Sequence, residues 1–298
     1  MPIHRFATTS AALALASAAL LLTAGPAPAT AAAAPPAPLI IGHRGAAGLA
    51  PENTLEAVDR ADRAGVDWVE VDVQRSKDGV LVLMHDQDLV RTTDARTVFP
   101  GRAPWKVGDF TYAELSRLRA GASPAWKGTG YASARIPTLG QLLDRLDRNG
   151  QGLLLEVKWP GNFPGVTQDI LRTLDRKGWL DAHHVDRRLY VISFQAAALK
   201  DVHRRRPAVR LGICDETPTT GELTSYARFV DVVNPDHRGL TRTYVDRAHA
   251  LKGPHGRPLK LWPWTVNTAA PARTLAAWGV DGITTDVPGT IGRALGRR

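Results

Sequence analysis

A chain of 298 residues with 38 Lys and Arg against 29 Asp and Glu carries a formal charge of +9 and a single cysteine. One cysteine excludes an intrachain disulfide framework, so the fold must stand on its hydrophobic core. The Arg-dominated excess is scattered. It reads first as compositional bias and second as attraction to anionic surfaces or polyanionic substrates, and no basic block interleaved with aromatics argues for nucleic acid.

Residues 1–6 are short and basic, Ala11 to Ala24 is an apolar run, and small residues with prolines continue to about Pro38. That is the layout of a secretory signal peptide. The run is too short to span a bilayer, so no stable membrane span is expected. Residues 1–34 are therefore expected to be removed, with cleavage near residues 29–34 and export to the extracellular side. No Cys lies in the cleavage zone and no twin Arg precedes it, which points to the general secretory route without a lipid anchor. The remaining roughly 260 residues, 39–298, suit one barrel-sized catalytic domain.

Beyond Pro38, apolar runs of strand length alternate with amphipathic segments. Strands are predicted at Leu39–Gly42, Trp68–Val73, Val80–Met84, Leu153–Val157, Leu189–Ser193, Val209–Ile213, Phe229–Val233, Leu259–Trp264 and Gly282–Thr285. Helices are predicted at Asn53–Ala64, Thr138–Arg148, Gly165–Lys177, Gln195–Arg205, Tyr244–Leu251 and Ala270–Trp278. Strand–helix alternation means parallel βα units, and about eight of them make an α/β fold, a (β/α)₈ TIM barrel. The surplus strand belongs to Trp68–Met84, where too few residues separate two runs for a crossover. An antiparallel hairpin turning at Asp78-Gly79 is expected there. Residues 91–137, rich in Pro, Trp and Gly, read as a small insertion capping the barrel mouth, with a short helix at Tyr112–Leu118.

A two-residue turn at Asp78-Gly79 pairs Lys77 with Val80 and sets Asp72 opposite His85. Glu70 lies two along from Asp72, so Glu70, Asp72 and His85 would share one face. Val71, Val73, Val82 and Met84 would form the other. A three-residue turn with a Gly bulge would shift the register by one and break this partition. Glu156 and Lys158 end the run LLLEVK with the same spacing, at the strand end that forms a barrel's catalytic mouth. Three converging acids, Glu70, Asp72 and Glu156, are an all-oxygen donor set suited to one divalent cation, Ca²⁺ or Mg²⁺, rather than Zn²⁺. His43 and His85 suit an acid/base pair. Arg44 and Lys158 suit phosphate oxygens, Arg as a fork and Lys as a point charge.

The ordered set His43-Arg44-Gly45, Pro51-Glu52-Asn53-Thr54, Glu70-x-Asp72, Asp78-Gly79, His85-Asp86, Glu156-x-Lys158, Ser193-Phe194, Trp264-Thr265-Val266-Asn267 and the ending GVDGITTD resembles the glycerophosphodiester phosphodiesterases. The resemblance runs from Ile41 to about Pro288. It implies a TIM barrel that hydrolyses glycerophosphodiesters to sn-glycerol 3-phosphate and an alcohol. It further implies that His43 and His85 are the acid/base pair, that Glu70, Asp72 and Glu156 are the metal ligands, and that Arg44 and Lys158 contact phosphate. Phe194 and Trp264 read equally as covers for the glycerol carbons and as barrel packing. Glu52 reads as a helix-start residue, Asp281 and Asp286 as loop-fixing acids, and Asp86 as a loop-orienting one. His183, His184, His203, His237, His249 and His255 match no motif and read as surface or structural residues.

The expected partner is a small glycerophosphodiester, with glycerophosphate polymers of the cell wall as a second substrate class. A monomer is expected, with a dimer as the alternative. Two competing readings are a phospholipase D-like lyase of the sphingomyelinase D type acting on lysophospholipids, and a non-catalytic polyanion-binding barrel. The PENT segment and the WTVN and GVDGITTD ending argue against the first. The intact set of two histidines and three acids argues against the second.

Overall fold

The computed structural model describes residues 1–3 and 36–297; apart from its first three residues, the expected signal peptide lies outside the described residues. From residue 36 the chain runs β1 (Leu39–Gly42), α1 (Leu55–Arg63), β2 (Trp68–Arg75), β3 (Leu81–Leu83), α2 (Ala95–Val98), α3 (Tyr112–Leu115), α4 (Leu139–Asn149), β4 (Gly152–Val157), α5 (Val166–Arg176), α6 (Ala182–Arg187), β5 (Leu189–Ser193), α7 (Ala196–Arg205), β6 (Arg210–Asp215), α8 (Thr220–Tyr226), β7 (Val232–Pro235), α9 (Arg242–His249), β8 (Lys260–Leu261), α10 (Ala269–Trp278), β9 (Gly282–Thr285) and α11 (Pro288–Ala294). The strand order is β8-β7-β6-β5-β4-β2-β1-β9, all parallel, with β3 antiparallel to β2 and off this path. Irregular backbone bonds bring the two edges together: Asp281 N donates to Leu261 O (3.0 Å), Thr284 N to Pro263 O (3.0 Å), and Val266 N to Thr284 O (2.9 Å). Helices fill the crossovers, so the expected (β/α)₈ barrel is the observed one. β8 is shorter than the apolar run predicted, because Pro263 has no N–H to give the ladder.

The period-two alternation of the strands sorts the core. Outward residues of β2 and β4, such as Val69, Val71, Leu153 and Leu155, pack in one cluster with the buried helix faces, including Leu139, Leu142, Leu143 and Leu146 of α4. That helix opens with a capping box at Thr138 and Gln141 and ends at Gly150 with φ 75°;. Inward residues form a second cluster, in which Trp68, Tyr190 and Trp262 meet with ring centroids 4.7–5.7 Å apart. Gly152 and Gly282 make room for this plug, since a Cβ on either would lie 2.6 Å from an indole. Above the plug the inward positions turn polar: Glu70, Asp72 and Gln74 on β2 and Glu156 on β4 are buried.

The hairpin register differs from the expected one. Val73 pairs with Leu83, Gln74 with Val82 and Arg75 with Leu81, so the loop has three residues, Lys77 to Gly79. Gly79 sits at φ 88°, the left-handed bulge conformation of a three-residue hairpin. Side chains select this loop: Ser76 Oγ donates to Asp78 Oδ1 (2.6 Å) and accepts from Val80 N (2.9 Å), and Tyr112 N donates to Asp78 (2.9 Å). The predicted face partition falls with the register. Val71 and Val73 pack with Leu81 and Leu83 in the main core, whereas Val82 and Met84 turn to the other face.

Val82 and Met84 there join Leu89, Val107, Phe110, Leu115, Leu118 and Ile136 in a separate core formed largely by the insertion. None of residues 91–137 lines the cavity at the mouth, although Arg91 at the start of the segment bonds Asp86 and Glu52 beside it. The insertion's helix is shorter than predicted, a single turn with a capping box at Thr111 and Glu114.

Candidate active site

At the carboxyl ends of the strands lies a cavity of about 160 Å³ lined by His43, Arg44, Glu70, His85, Glu156 and Lys158, with Phe194 and Trp264 on its wall. Asp72 lies beneath, 1% exposed. β2 and β4 pair in register with Asp72 opposite Glu156. This places Glu70, Asp72 and Glu156 together, with an oxygen of each within 4.8 Å of the others.

Three carboxylates this close and this buried repel one another. Burial, and then the charges of Asp72 and Glu156, push the Glu70 carboxyl well above the usual range;. Burial and then Asp72 raise Glu156 to about 7, against the pull of Lys158. Burial opposes ionisation of Asp72 too, but Lys158, Arg44, His85 and the Asn53 hydrogen bond hold it down at about 2. Lys158 Nζ lies 2.7 Å from Glu156 Oε1 and 3.4 Å from Asp72 Oδ1. Glu70 Oε1 is buried without a hydrogen-bond partner among the described residues. A buried all-oxygen cluster with excess negative charge and an unpartnered acceptor fits a hard divalent cation.

The histidines are each oriented by an acid. His43 follows β1 directly, and its Nδ1 lies 2.7 Å from Asp286 Oδ1 at the end of β9. His85 follows β3, and its Nδ1 lies 2.6 Å from Asp86 Oδ1. The His85 hydrogen bond, opposed by burial and aided by Arg91, holds the Asp86 carboxyl well below its ordinary range. Burial opposes ionisation of Asp286, and the hydrogen bond from His43 lowers it. Ionised carboxylates only accept, so both histidines donate through Nδ1, which leaves Nε2 as the ring nitrogen not held by the acid. The His43 Nε2 lies 4.0 Å from Glu70 Oε2.

His85 reaches the site despite the shifted register, because it stands beyond the last paired residue of β3. Gln74 fixes that exit: its Nε2 donates to the carbonyls of Met84 (2.8 Å), His85 (3.3 Å) and Asp86 (2.6 Å). Trp159 Nε1 donates to His85 O as well (3.0 Å).

Arg44, at φ 50°, donates its backbone N to Glu70 Oε2 (2.8 Å) and its Nη1 to Glu52 Oε1 (2.7 Å). Glu52 in turn accepts from Nη1 and Nη2 of Arg91 (2.6 and 2.8 Å), and Arg91 Nε donates to Asp86 Oδ2 (2.6 Å). An unbroken chain of charge-assisted bonds thus runs from His85 through Asp86, Arg91 and Glu52 to Arg44. Glu52, Asp86 and Asp286 do more than the loop and helix-start roles expected of them. Asn53, unmarked in sequence, donates to Asp72 Oδ2 (2.7 Å) and accepts from Asp72 N (3.0 Å). Its position inside PENT was the signal available.

Phe194, 48% exposed, meets Trp264 edge to face at 5.7 Å, with Lys158 Nζ 5.3 Å from its ring. Trp264 Nε1 donates to Asn234 O (2.7 Å), which fixes the indole as part of the wall. Asp281 is structural as expected, accepting from Leu261 N (2.9 Å) and contacting His249 (2.9 Å). None of the six unmatched histidines lines the cavity.

The model of the Glycerophosphoryl diester phosphodiesterase family matches residues 43–290. A glycerophosphodiester phosphodiesterase of Bacillus subtilis (strain 168) is 30% identical over 260 residues, spanning 84% of this chain and 84% of the relative. Another, from Caldanaerobacter subterraneus subsp. tengcongensis, is 30% identical over 264 residues, spanning 85% and 96%. Among solved structures, an Oleispira antarctica phosphodiesterase in complex with the product sn-glycerol-3-phosphate superposes with a TM-score of 0.73 at 29% identity, covering 87% of this chain and 97% of that one. The chain belongs to the glycerophosphoryl diester phosphodiesterase family.

Proposed function

We propose that this chain is an exported, divalent-cation-dependent glycerophosphodiester phosphodiesterase releasing sn-glycerol 3-phosphate and an alcohol. The observation that carries the reading is the convergence, at one barrel mouth, of three buried carboxylates, two acid-oriented histidines and two cations. Arg44 and Lys158 bind the phosphate, and Glu70, Asp72 and Glu156 hold the cation. That cation, Ca²⁺ or Mg²⁺, would polarise the phosphoryl oxygens as a Lewis acid and offset charge developing in the transition state. One histidine takes the proton of the attacking oxygen through Nε2, and the other gives a proton to the departing alkoxide. Asp286 and Asp86 stabilise the imidazolium, which forms on the histidine that takes a proton and is the starting state of the one that gives it. Phe194 and Trp264 cover the glycerol carbons.

The test is a panel of glycerophosphodiesters assayed for sn-glycerol 3-phosphate after exhaustive chelation and after adding back Ca²⁺ or Mg²⁺. Loss on chelation and recovery with one cation is expected; full activity in chelator would refute the carboxylate site. Release of a phospho-alcohol or of a lasting cyclic phosphate would refute the stated products. Export rests on the layout of residues 1–34 and is checked by N-terminal sequencing of the protein from the culture medium. Described residues contain no helix long and apolar enough to cross a membrane.

A further inference from the structure

A second cavity, of about 560 Å³, lies on the outside of the barrel between α1 and α11, and it shares no lining residue with the mouth. Ile40, Leu49, Val66 and Val287 give it apolar walls. Arg60, Arg63, Arg293 and Arg297 also line it, and among the described residues no acid does.

Several helix arginines elsewhere find acids, as in Arg145 with Asp59, Arg172 with Asp169 and Arg205 with Asp201, whereas this cavity gathers several that do not. Among the described residues Arg60, Arg63 and Arg293 enter no ion pair. Arg60 Nε is buried with no hydrogen-bond partner among the described residues, a costly state for a charged donor. Arg297 is engaged at the rim, donating to Pro38 O (2.7 Å) and lying 3.8 Å from Asp67.

We propose that this cavity is a phosphate-ester binding site distinct from the catalytic mouth. Three arginines without an acid partner around one concavity, with Arg297 beside them, call for an anion with several oxygens and more than one charge, which a phosphate ester supplies and a lone carboxylate does not;. The apolar walls take the carbon skeleton of the ester. Arg60 Nε gains the partner it lacks, and the mutual repulsion of the arginines is neutralised. The ligand is either a free phosphate ester or the headgroup of an anionic lipid, since both carry the same group. The proposal stands apart from the catalytic reading, because none of these arginines touches the mouth.

The test uses the purified chain and the triple variant Arg60→Gln/Arg63→Gln/Arg293→Gln. Calorimetry with sn-glycerol 3-phosphate should give one binding equivalent more in the wild type than in the variant. Sedimentation with phosphatidylglycerol vesicles, and with phosphatidylcholine vesicles as control, should show binding to the anionic vesicles weakened at least ~tenfold if lipid is the source. Turnover of a small glycerophosphodiester should be unchanged, which shows the variant is folded. Loss in the first arm assigns a free ester, loss in the second a headgroup, and either supports the site. The site is overturned if a folded variant matches wild type in both arms. It is equally overturned if the only change is loss of a dimer.

Discussion

Replacing Glu156 with Gln should make the metal-free chain more stable at alkaline pH while it removes a cation ligand. Burial and then the Asp72 charge raise the Glu156 carboxyl from 4.5 to about 7 in the fold. A carboxyl with a higher pKa folded than unfolded favours the folded state below its unfolded pKa. It loses that contribution as the pH climbs through the folded value. At about 1.4 kcal/mol per unit, this one group withdraws about 3 kcal/mol of wild-type stability between about pH 4.5 and about pH 8.5. Gln has the same shape and no charge, so the variant's advantage over wild type should widen by that amount across the same range.

Urea unfolding of both proteins in chelator at the two pH values measures it directly. Adding a divalent cation should narrow the gap, since binding at 100 times Kd stabilises the wild type by about 2.7 kcal/mol and the weakened site by less. Parallel pH dependence of the two proteins in chelator would refute the claim that Glu156 is held in the fold against its own charge.

His43→Ala and His85→Ala should each lower kcat by about 10²–10⁴-fold with the fold intact by circular dichroism; a rate within a few-fold of wild type in either would exclude proton transfer by that residue. Arg91→Lys can reach one of Asp86 and Glu52 but cannot fork between them. It should lower kcat by roughly tenfold with KM little changed, as expected of a residue that positions His85 from a distance; steady-state kinetics with an unchanged kcat would show the bridge to be ornamental. Gly79→Ala places a Cβ at φ 88° and should cost about 1–2 kcal/mol in thermal or urea unfolding; no loss would mean the hairpin loop relaxes into another turn.

Much of this molecule is written locally. The strands alternate apolar residues at period two, α4 repeats Leu139, Leu142, Leu143 and Leu146 at helical spacing, and βα alternation leaves few topologies besides a barrel. The short helices α6, α8 and α11 escaped the pattern because one or two turns carry too few apolar repeats. α8 nevertheless announces itself by a capping box at Thr219 and Glu222. The site residues were legible for a related reason: acids and histidines at the ends of apolar strands are costly unless something binds them.

What the sequence could not decide were the contacts between segments far apart in the chain. Two- and three-residue hairpin loops both suit Lys77-Asp78-Gly79, and the choice falls to Ser76 and to Tyr112, more than thirty residues on. Asp286 meets His43 across 243 positions, and Glu52 meets Arg91 across 39. Such pairings leave no periodic trace, because closing the barrel is what sets those side chains at hydrogen-bond distance. Residue types and strand order were therefore determined by sequence alone. The orientation of each histidine, the charge chain behind His85 and the acid-free arginine cavity were decided only by the tertiary fold, which alone fixes the distances on which electrostatic energies depend.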